Sequence, residues 1–106
     1  MSESLFLSTV EETLDEVQTA IEAADLPVEC SQSGLVLTLE LDDGGRIIIN
    51  AQAPMRQLWL ASRSGALHFA HDGRQWLDTR TGAEFFDRLS GTLAELLGEP
   101  VQLQAR

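Results

Sequence analysis

The stretch 45–61 constrains the fold most, because its pattern predicts two strands joined by a tight corner. Ile47, Ile48 and Ile49 form a β-branched run, which fits a pleated sheet better than a helix. Pro54 has no backbone N–H to give to a sheet ladder, so it marks the corner. Alternation with a period of two resumes after the proline and predicts the second strand. We therefore expect the rest of the chain to pack around these two strands.

Alternation along the two strands assigns their side chains to opposite faces of the sheet. Leu58 and Leu60 are expected on the buried face, together with Ile47 and Ile49. The other face is expected to carry what we call the Trp59 patch: Asn50, Gln52, Gln57 and Trp59. A large aromatic side chain exposed on a sheet is unusual in a soluble domain. The patch is therefore a candidate for contact with a partner.

Helical patterns are confined to the two ends of the chain. Between residues 4 and 25, apolar side chains recur at intervals of three and four: Phe6, Val10, Leu14, Val17, Ile21 and Ala24. This is the stripe of an amphipathic helix, which Pro27 is expected to end. Thr81 and Glu84 have the spacing of a capping box, which predicts that a second helix opens at Thr81. Gly98 is expected to end that helix.

Between the helices, the pattern predicts a sequential antiparallel meander. Its strands are expected at 28–31, 35–41, the two central strands, 66–70 and around Trp76, and Val101 and Leu103 are expected to pack back on the helices. The predicted fold class is α+β: a two-layer α/β sandwich with two helices on one face of an antiparallel sheet, in the order α-β-β-β-β-β-β-α. Residues 1–106 are expected to form a single domain.

Negative charge is concentrated in the first part of the chain. The net charge is −10, and residues 1–45 contain eleven acids without a lysine or arginine, whereas the remainder holds six acids and seven arginines. Such a field repels nucleic acid and anionic membranes and attracts cations or basic proteins. No apolar run is long enough to span a bilayer, and the first residues lack an export signal, so a cytoplasmic location is expected.

Several of these carboxylates fall on one strip of the first helix. At about 100° per residue, Glu11, Asp15 and Glu22 cluster beside the apolar stripe, with Asp25 at the near edge. A charge run usually marks only a solvated helix face. Like charges four residues apart, however, destabilise a helix by roughly a few tenths of a kcal/mol, and no basic residue on this helix offsets them. We therefore favour a functional role for this acidic strip.

The motif Asn-x-Gln-x-Pro-x-x-Gln-x-Trp-Leu-Ala, from Asn50 to Ala61, resembles the signature of the frataxins, in particular of their bacterial branch. The similarity covers nearly the whole chain, from the acidic first helix to the start of the second. One residue departs from the pattern, because Ala51 stands where many members carry a basic residue. The resemblance implies the frataxin-like form of the fold predicted above.

The resemblance also implies an iron-binding protein of iron–sulfur cluster assembly, which acts as an iron donor or sensor and regulates a cysteine desulfurase. Iron, as Fe²⁺ or Fe³⁺, is then expected to bind weakly at the surface, without a buried cofactor, on an acidic ridge: Glu11, Asp15, Glu22, Asp25 and Glu29. The ridge holds fewer acids than in many relatives. Positions that often carry an acid in relatives are occupied here by Gln18, Thr19, Ala23 and Pro27. The Trp59 patch is expected to dock the desulfurase and scaffold complex, and the protein is expected to be a monomer without iron.

Two other functions stay open. One is an enzyme, a ferroxidase or iron store, although no phosphate loop, nucleophile elbow or zinc pattern is present in the sequence, so a non-enzymatic role is expected. The other is an acidic adaptor without physiological iron binding. Alternation places His68 on the outer face as a bystander, and neither His68 nor His71 is assigned as a ligand. Cys30 is expected to be a structural thiol.

Overall fold

The structure is a computed structural model that describes residues 1–104. Its elements are α1 (Glu3–Ala23), β1 (Val28–Ser33), β2 (Val36–Leu41), β3 (Arg46–Gln52), a 3₁₀ turn (Ala53–Met55), β4 (Gln57–Ser62), β5 (Gly65–His71), β6 (Trp76–Asp78) and α2 (Phe85–Leu97). The strands form one antiparallel sheet in the order β1-β2-β3-β4-β5-β6. The predicted fold class and element order are confirmed. No helix within the described residues is long and apolar enough to cross a membrane.

Both helices pack on the same face of the sheet, which we call the inner face. Fully buried side chains of this face come from the four central strands: Leu37, Leu39, Ile47, Ile49, Leu58, Leu60 and Phe69. Phe69 meets Phe85 of α2 edge to face, with 5.1 Å between ring centroids. Burial of each such side chain contributes about 1.5–3 kcal/mol. A slip of one residue in any central strand would turn these side chains to solvent, so burial fixes the register.

The corner between β3 and β4 lies where Pro54 predicts it. Ala53–Met55 form the 3₁₀ turn, and Arg56 then adopts a left-handed conformation with φ 52°. The Arg56 guanidinium donates to the carbonyl oxygen of Ala53 and lies over the ring of Phe6, 6.0 Å from its centroid. The turn is thereby attached to the first part of α1. It sets β3 and β4 in a register that pairs Asn50 with Trp59 and Gln52 with Gln57.

Helix α1 ends earlier than the sequence predicts. Its last residue is Ala23, and Ala24 is an exposed C-cap rather than a member of the buried stripe. Asp25 adopts φ 51°, a left-handed conformation that aspartate tolerates better than most residues, and this turn ends the helix before Pro27 is reached. Thr13 and Ala20 are buried on α1 although the predicted stripe omits them.

Helix α2 begins later than the sequence predicts, so the capping-box prediction is wrong. The N-cap is Glu84, whose carboxylate accepts hydrogen bonds from the backbone N–H groups of Phe86 and Asp87, at 2.8 and 3.2 Å. Thr81 instead accepts from the N–H of Ala83 within a turn. Gly82, at φ 76°, breaks helical geometry between them.

The end of α2 and the tail that follows agree with the prediction. Gly98 is a left-handed C-cap at φ 72°, and its N–H donates to the carbonyl of Ala94. Leu103 is buried, and its backbone N–H donates to Ser90 Oγ at 2.9 Å. Val101 packs partly buried against the same core. The tail therefore packs against α2 and the core.

Candidate docking and cation-binding surfaces

Trp59 lies on the outer face of the sheet, as alternation predicts, but it is not bare. Its indole stacks on the imidazole of His68, with 4.2 Å between ring centroids and 16° between ring planes. Its Nε1–H donates to Gln57 Oε1 at 2.8 Å. With these two contacts, the side chain is partly buried. The expected exposure of the indole is therefore found only in part, and His68, expected as a bystander on this face, lies against the Trp59 patch.

The four residues of the Trp59 patch are adjacent across β3 and β4. Asn50 stands opposite Trp59, and Gln52 stands opposite Gln57. The side-chain amides of Asn50 and Gln52 make no hydrogen bond within residues 1–104, and both are half-buried. They offer donors and acceptors that are held in place by the strand yet unsatisfied by the protein, which suits recognition of polar groups.

The cross-strand rows around Trp59 hold few ionisable side chains, and Arg80 lines a small hollow beside His68 at their end. Three neighbouring cross-strand rows run Gln52, Gln57, Ala70; Val36, Asn50, Trp59, His68; and Thr38, Ile48, Ala61, Ala66. His68 is the one ionisable residue in these rows. The next row carries Arg46 and Glu40, joined by an ion pair of 3.1 Å. The Trp59 patch therefore sits in a neutral area of a strongly acidic protein.

Two apolar side chains next to the patch were missed by the sequence analysis. Val36 and Ile48 are each 39% exposed on the outer face. Val36 stands opposite Asn50, and Ile48 stands opposite Ala61. Exposed apolar area beside an aromatic side chain is typical of protein contact surfaces. The signal was present in the sequence, because alternation places Ile48 on the outer face between Ile47 and Ile49.

The acidic strip of α1 runs along the edge strand β1. Gln18, which lies within the strip, donates from Nε2 to Gln32 Oε1 of β1 at 2.7 Å. One turn further on, Glu22 lies near Cys30: burial raises the pKa of the Cys30 thiol above its ordinary value, and the Glu22 carboxylate raises it further. Glu22, Asp25, Glu29 and Cys30 line one shallow depression at this edge. A thiol with a raised pKa is less reactive, which fits a structural role.

Glu29 lies on β1, whereas the other predicted ridge residues lie on α1 or in the turn after it. Glu29 alternates with Val28 and Cys30 along β1 and stands opposite Glu40. Its side chain therefore projects from the outer face of the sheet, whereas α1 covers the inner face. It therefore lines both the edge depression and a hollow with Glu40 and Arg46. Within residues 1–104, no three His, Cys, Asp or Glu side chains converge closely enough to hold a metal ion. The five carboxylates therefore do not form one converging metal site.

Glu12 and Glu16 lie on the opposite flank of α1. They line a groove of about 350 Å³ whose other side includes His71 and Arg74. His71 is committed locally, because its Nδ1 accepts from the N–H of Gly73 and its ring packs edge-on against Trp76. His71 is far from the acids of α1 in the sequence, so this proximity was not predictable from the sequence.

Two helices on one face of a six-stranded antiparallel sheet, with a tryptophan-centred neutral patch on the other, define a frataxin-like α/β sandwich. The family model described as the frataxin-like domain matches residues 1–99. The chain belongs to the frataxin family, and the resemblance seen in the sequence is confirmed.

Relatives and solved structures agree with this assignment. The chain is 48% identical over 109 residues to the iron-sulfur cluster assembly protein CyaY of Janthinobacterium sp. (strain Marseille), covering 98% of this chain and 97% of the relative. It is 46% identical to the CyaY of Cupriavidus taiwanensis, covering 92% of each. The structure of frataxin from Psychromonas ingrahamii matches with a TM-score of 0.90 at 31% identity, covering 96% of this chain and 97% of that one.

A eukaryotic frataxin is also similar. The trimeric frataxin of Saccharomyces cerevisiae, in a complex with ferrous iron, matches with a TM-score of 0.68 at 29% identity. The match covers 93% of this chain and 88% of the yeast chain. The fold is therefore shared across bacterial and yeast members.

Proposed function

We propose that this protein is a non-enzymatic factor of iron–sulfur cluster assembly, which binds iron at its surface and regulates a cysteine desulfurase in complex with its scaffold. Support comes from relatives of 44–48% identity that carry the name of iron–sulfur cluster assembly protein and match nearly the whole chain. The observation that carries the proposal is the division of the surface into a neutral patch around Trp59 and an acidic strip along α1 and β1. In this proposal residues 1–106 act as one cytoplasmic domain, monomeric without iron.

The Trp59 patch is proposed to dock the desulfurase and scaffold complex. Tryptophan is among the residues whose truncation costs most at protein interfaces. Here the indole is already ordered by His68 and Gln57, so little further ordering is needed on binding. The unsatisfied amides of Asn50 and Gln52 supply the hydrogen-bonding part of the same surface. The patch thereby combines an apolar anchor with polar groups that set orientation.

The acidic strip is proposed to meet a basic surface of the desulfurase. Charges at the edge of a contact act mainly on the rate of association, because their field extends about one Debye length, roughly 8–10 Å in physiological salt. The strip lies on the helix side of edge strand β1, whereas the Trp59 patch lies on the opposite face of the sheet. A partner that engages both must wrap around the β1 edge or consist of more than one chain, as a desulfurase with a scaffold does.

Docking to the host's desulfurase and scaffold complex tests this division of labour. Glu22→Gln should weaken binding about two- to fivefold at low salt and have no effect at high salt, because a surface charge pair contributes roughly 0.2–1 kcal/mol and is screened. Glu95→Gln makes the same change on α2, away from the strip, and is the matched control. Binding can be followed by surface plasmon resonance. An affinity of the unaltered protein that does not respond to salt would remove the strip from the contact.

Iron is proposed to bind along Glu11, Asp15, Glu22, Asp25 and Glu29 as cargo. Carboxylate oxygens are hard ligands that suit Fe²⁺ and Fe³⁺ at the surface, and separate donors give weak, multiple sites rather than one tight site. The position of Glu29 divides this set between the edge depression and the outer face. A ferroxidase centre needs carboxylates that converge with a histidine inside a bundle. The open row of donors therefore favours cargo binding over turnover.

Thermal melts with added Fe²⁺ under anaerobic conditions test the iron part. The cation should raise the melting temperature by mass action, since it binds only where the native fold brings carboxylates near one another. The double variant Glu22→Gln, Asp25→Asn should reduce this rise in melting temperature. The double variant Glu12→Gln, Glu16→Gln removes equal charge from the opposite flank and should reduce the rise less. Equal losses in both double variants would point to net charge alone. A saturable acceleration of Fe²⁺ oxidation in air would instead favour the ferroxidase.

A further inference from the structure

His68 lies against the side chain on which the proposed docking surface depends. Its Cα atom stands directly opposite that of Trp59 in the β4–β5 register. The two rings stack at 4.2 Å between centroids, nearly parallel. At the far end of the indole, Nε1–H is held by Gln57 Oε1. One ring contact and one hydrogen bond thus fix the orientation of a side chain that has no cover from either helix.

We propose that His68 is a positioning residue of the docking surface, which holds the Trp59 indole in the orientation that the partner binds. The proposal rests on the proposed function, because it presupposes that the Trp59 patch is the docking surface. Affinity falls when a side chain must be ordered during binding. The free energy gained by stacking two aromatic rings is similar in size to this ordering cost. Loss of the His68 ring should therefore weaken docking about three- to tenfold.

The same contacts define the chemistry of the partner segment. The Nε1–H of Trp59 is already bonded to Gln57, and one face of its indole is covered by His68. What remains for a partner is apolar contact with the part of the ring that these groups leave exposed. The free amides of Asn50 and Gln52 lie beside it, and the three rows described above contain no Asp, Glu, Lys or Arg. The surface therefore fits an uncharged segment that presents an apolar side chain flanked by exposed peptide groups.

The effect of His68 on Trp59 can be measured without any partner, because the chain has two tryptophans and each gives one indole N–H signal in an NMR spectrum. His68→Ala should shift the Trp59 indole signal and speed its exchange with water, and it should leave the Trp76 signal in place. His71→Ala is the matched control, since His71 packs on Trp76 and lies outside the patch. His68→Phe keeps a ring opposite Trp59 and should retain slow exchange. An unchanged Trp59 signal in His68→Ala would overturn the proposal.

Docking to the desulfurase and scaffold complex then separates positioning from direct contact. His68→Ala should weaken docking three- to tenfold, His68→Phe should restore most of it, and His71→Ala should have no effect. In the Trp59→Ala background, adding His68→Ala should change affinity less than about twofold, because a residue that acts through Trp59 has nothing left to position. A full additional loss in that background would overturn the proposal. His68→Thr repeats the test in a β-branched residue should the alanine variant be unstable.

Failure of the two proposals is distinguishable. If the unaltered protein does not bind the complex at all, the docking function is wrong, while the indole signals still report whether His68 holds Trp59. If binding occurs and Trp59→Ala weakens it, but the His68 variants leave both binding and the indole signal unchanged, the docking function stands and the positioning role is wrong.

Discussion

Trp59 and Trp76 make the same kinds of contact but lie on opposite faces of the sheet. Each has its Nε1–H bonded to a side-chain oxygen and a histidine against its ring. Trp76 is 4% exposed, lies on the inner side with the helices, and donates to Thr13, which is 63 positions away in the chain. Trp59 is half-buried on the outer face and donates to Gln57, two positions away. A bond between distant elements stabilises the fold, whereas a bond within one strand only orients a side chain.

The largest effect expected from this difference is on stability. Trp76→Ala should lower the free energy of unfolding by about 3–5 kcal/mol, because it leaves a cavity between α1 and β6. Trp59→Ala should lower it by only about 1 kcal/mol, since no core contact is lost. Urea denaturation followed by circular dichroism measures both. Similar losses of unfolding free energy in the two variants would mean that the outer tryptophan also stabilises the fold.

The next largest effect is on docking, with the order reversed. Trp59→Ala should weaken binding to the desulfurase and scaffold complex about thirtyfold, the effect of losing roughly 2 kcal/mol at an interface hot spot. Trp76→Phe keeps an aromatic ring in the core and should leave the affinity of the folded protein unchanged. The measurement is a binding titration at a temperature where both variants are folded. A comparable loss in Trp76→Phe would show that docking responds to the core rather than to the patch.

The smallest effect concerns the two hydrogen bonds themselves. Thr13→Val leaves the buried Nε1–H of Trp76 without an acceptor and should cost about 1–3 kcal/mol of stability. Gln57→Ala should cost less than about 0.5 kcal/mol, because Trp59 is only partly buried on the outer face, where its Nε1–H can bond to water instead. Denaturation midpoints of the two variants, compared at equal slopes, provide the test. The comparison between the tryptophans fails if Gln57→Ala is the more costly change.

Local periodicity predicted the faces of the sheet well. Leu58 and Leu60 are buried and Trp59 lies opposite them, because alternation in a strand is fixed by backbone geometry. The stack of Trp59 on His68 was not predictable in the same way. It depends on the register of β4 and β5, which the two turn residues Arg63 and Ser64 set. Alternation placed His68 on the correct face without stating which residue stands beside it.

Two further outcomes depend on which element a residue joins. Glu29, which the family resemblance places on the acidic ridge, lies on strand β1, yet it lines the same depression as Glu22 and Asp25. Thr81 and Glu84 have the spacing of a capping box, yet the positive φ of Gly82 excludes a helix between them. Whether the predicted site residues bind iron and a desulfurase stays a prediction. Their placement, however, is now defined residue by residue.

Strand β1 forms one open border of the sheet: among residues 1–104, no further strand pairs with the backbone N–H and C=O groups on its outer side. Such a border is a template on which another molecule can add a strand. Glu29 lies along it, and the carboxylates of Glu22 and Asp25 line the same depression. Two copies that approach through β1 would bring these negative charges together. Besides any role with iron, the acids at this border should therefore protect the protein against self-aggregation.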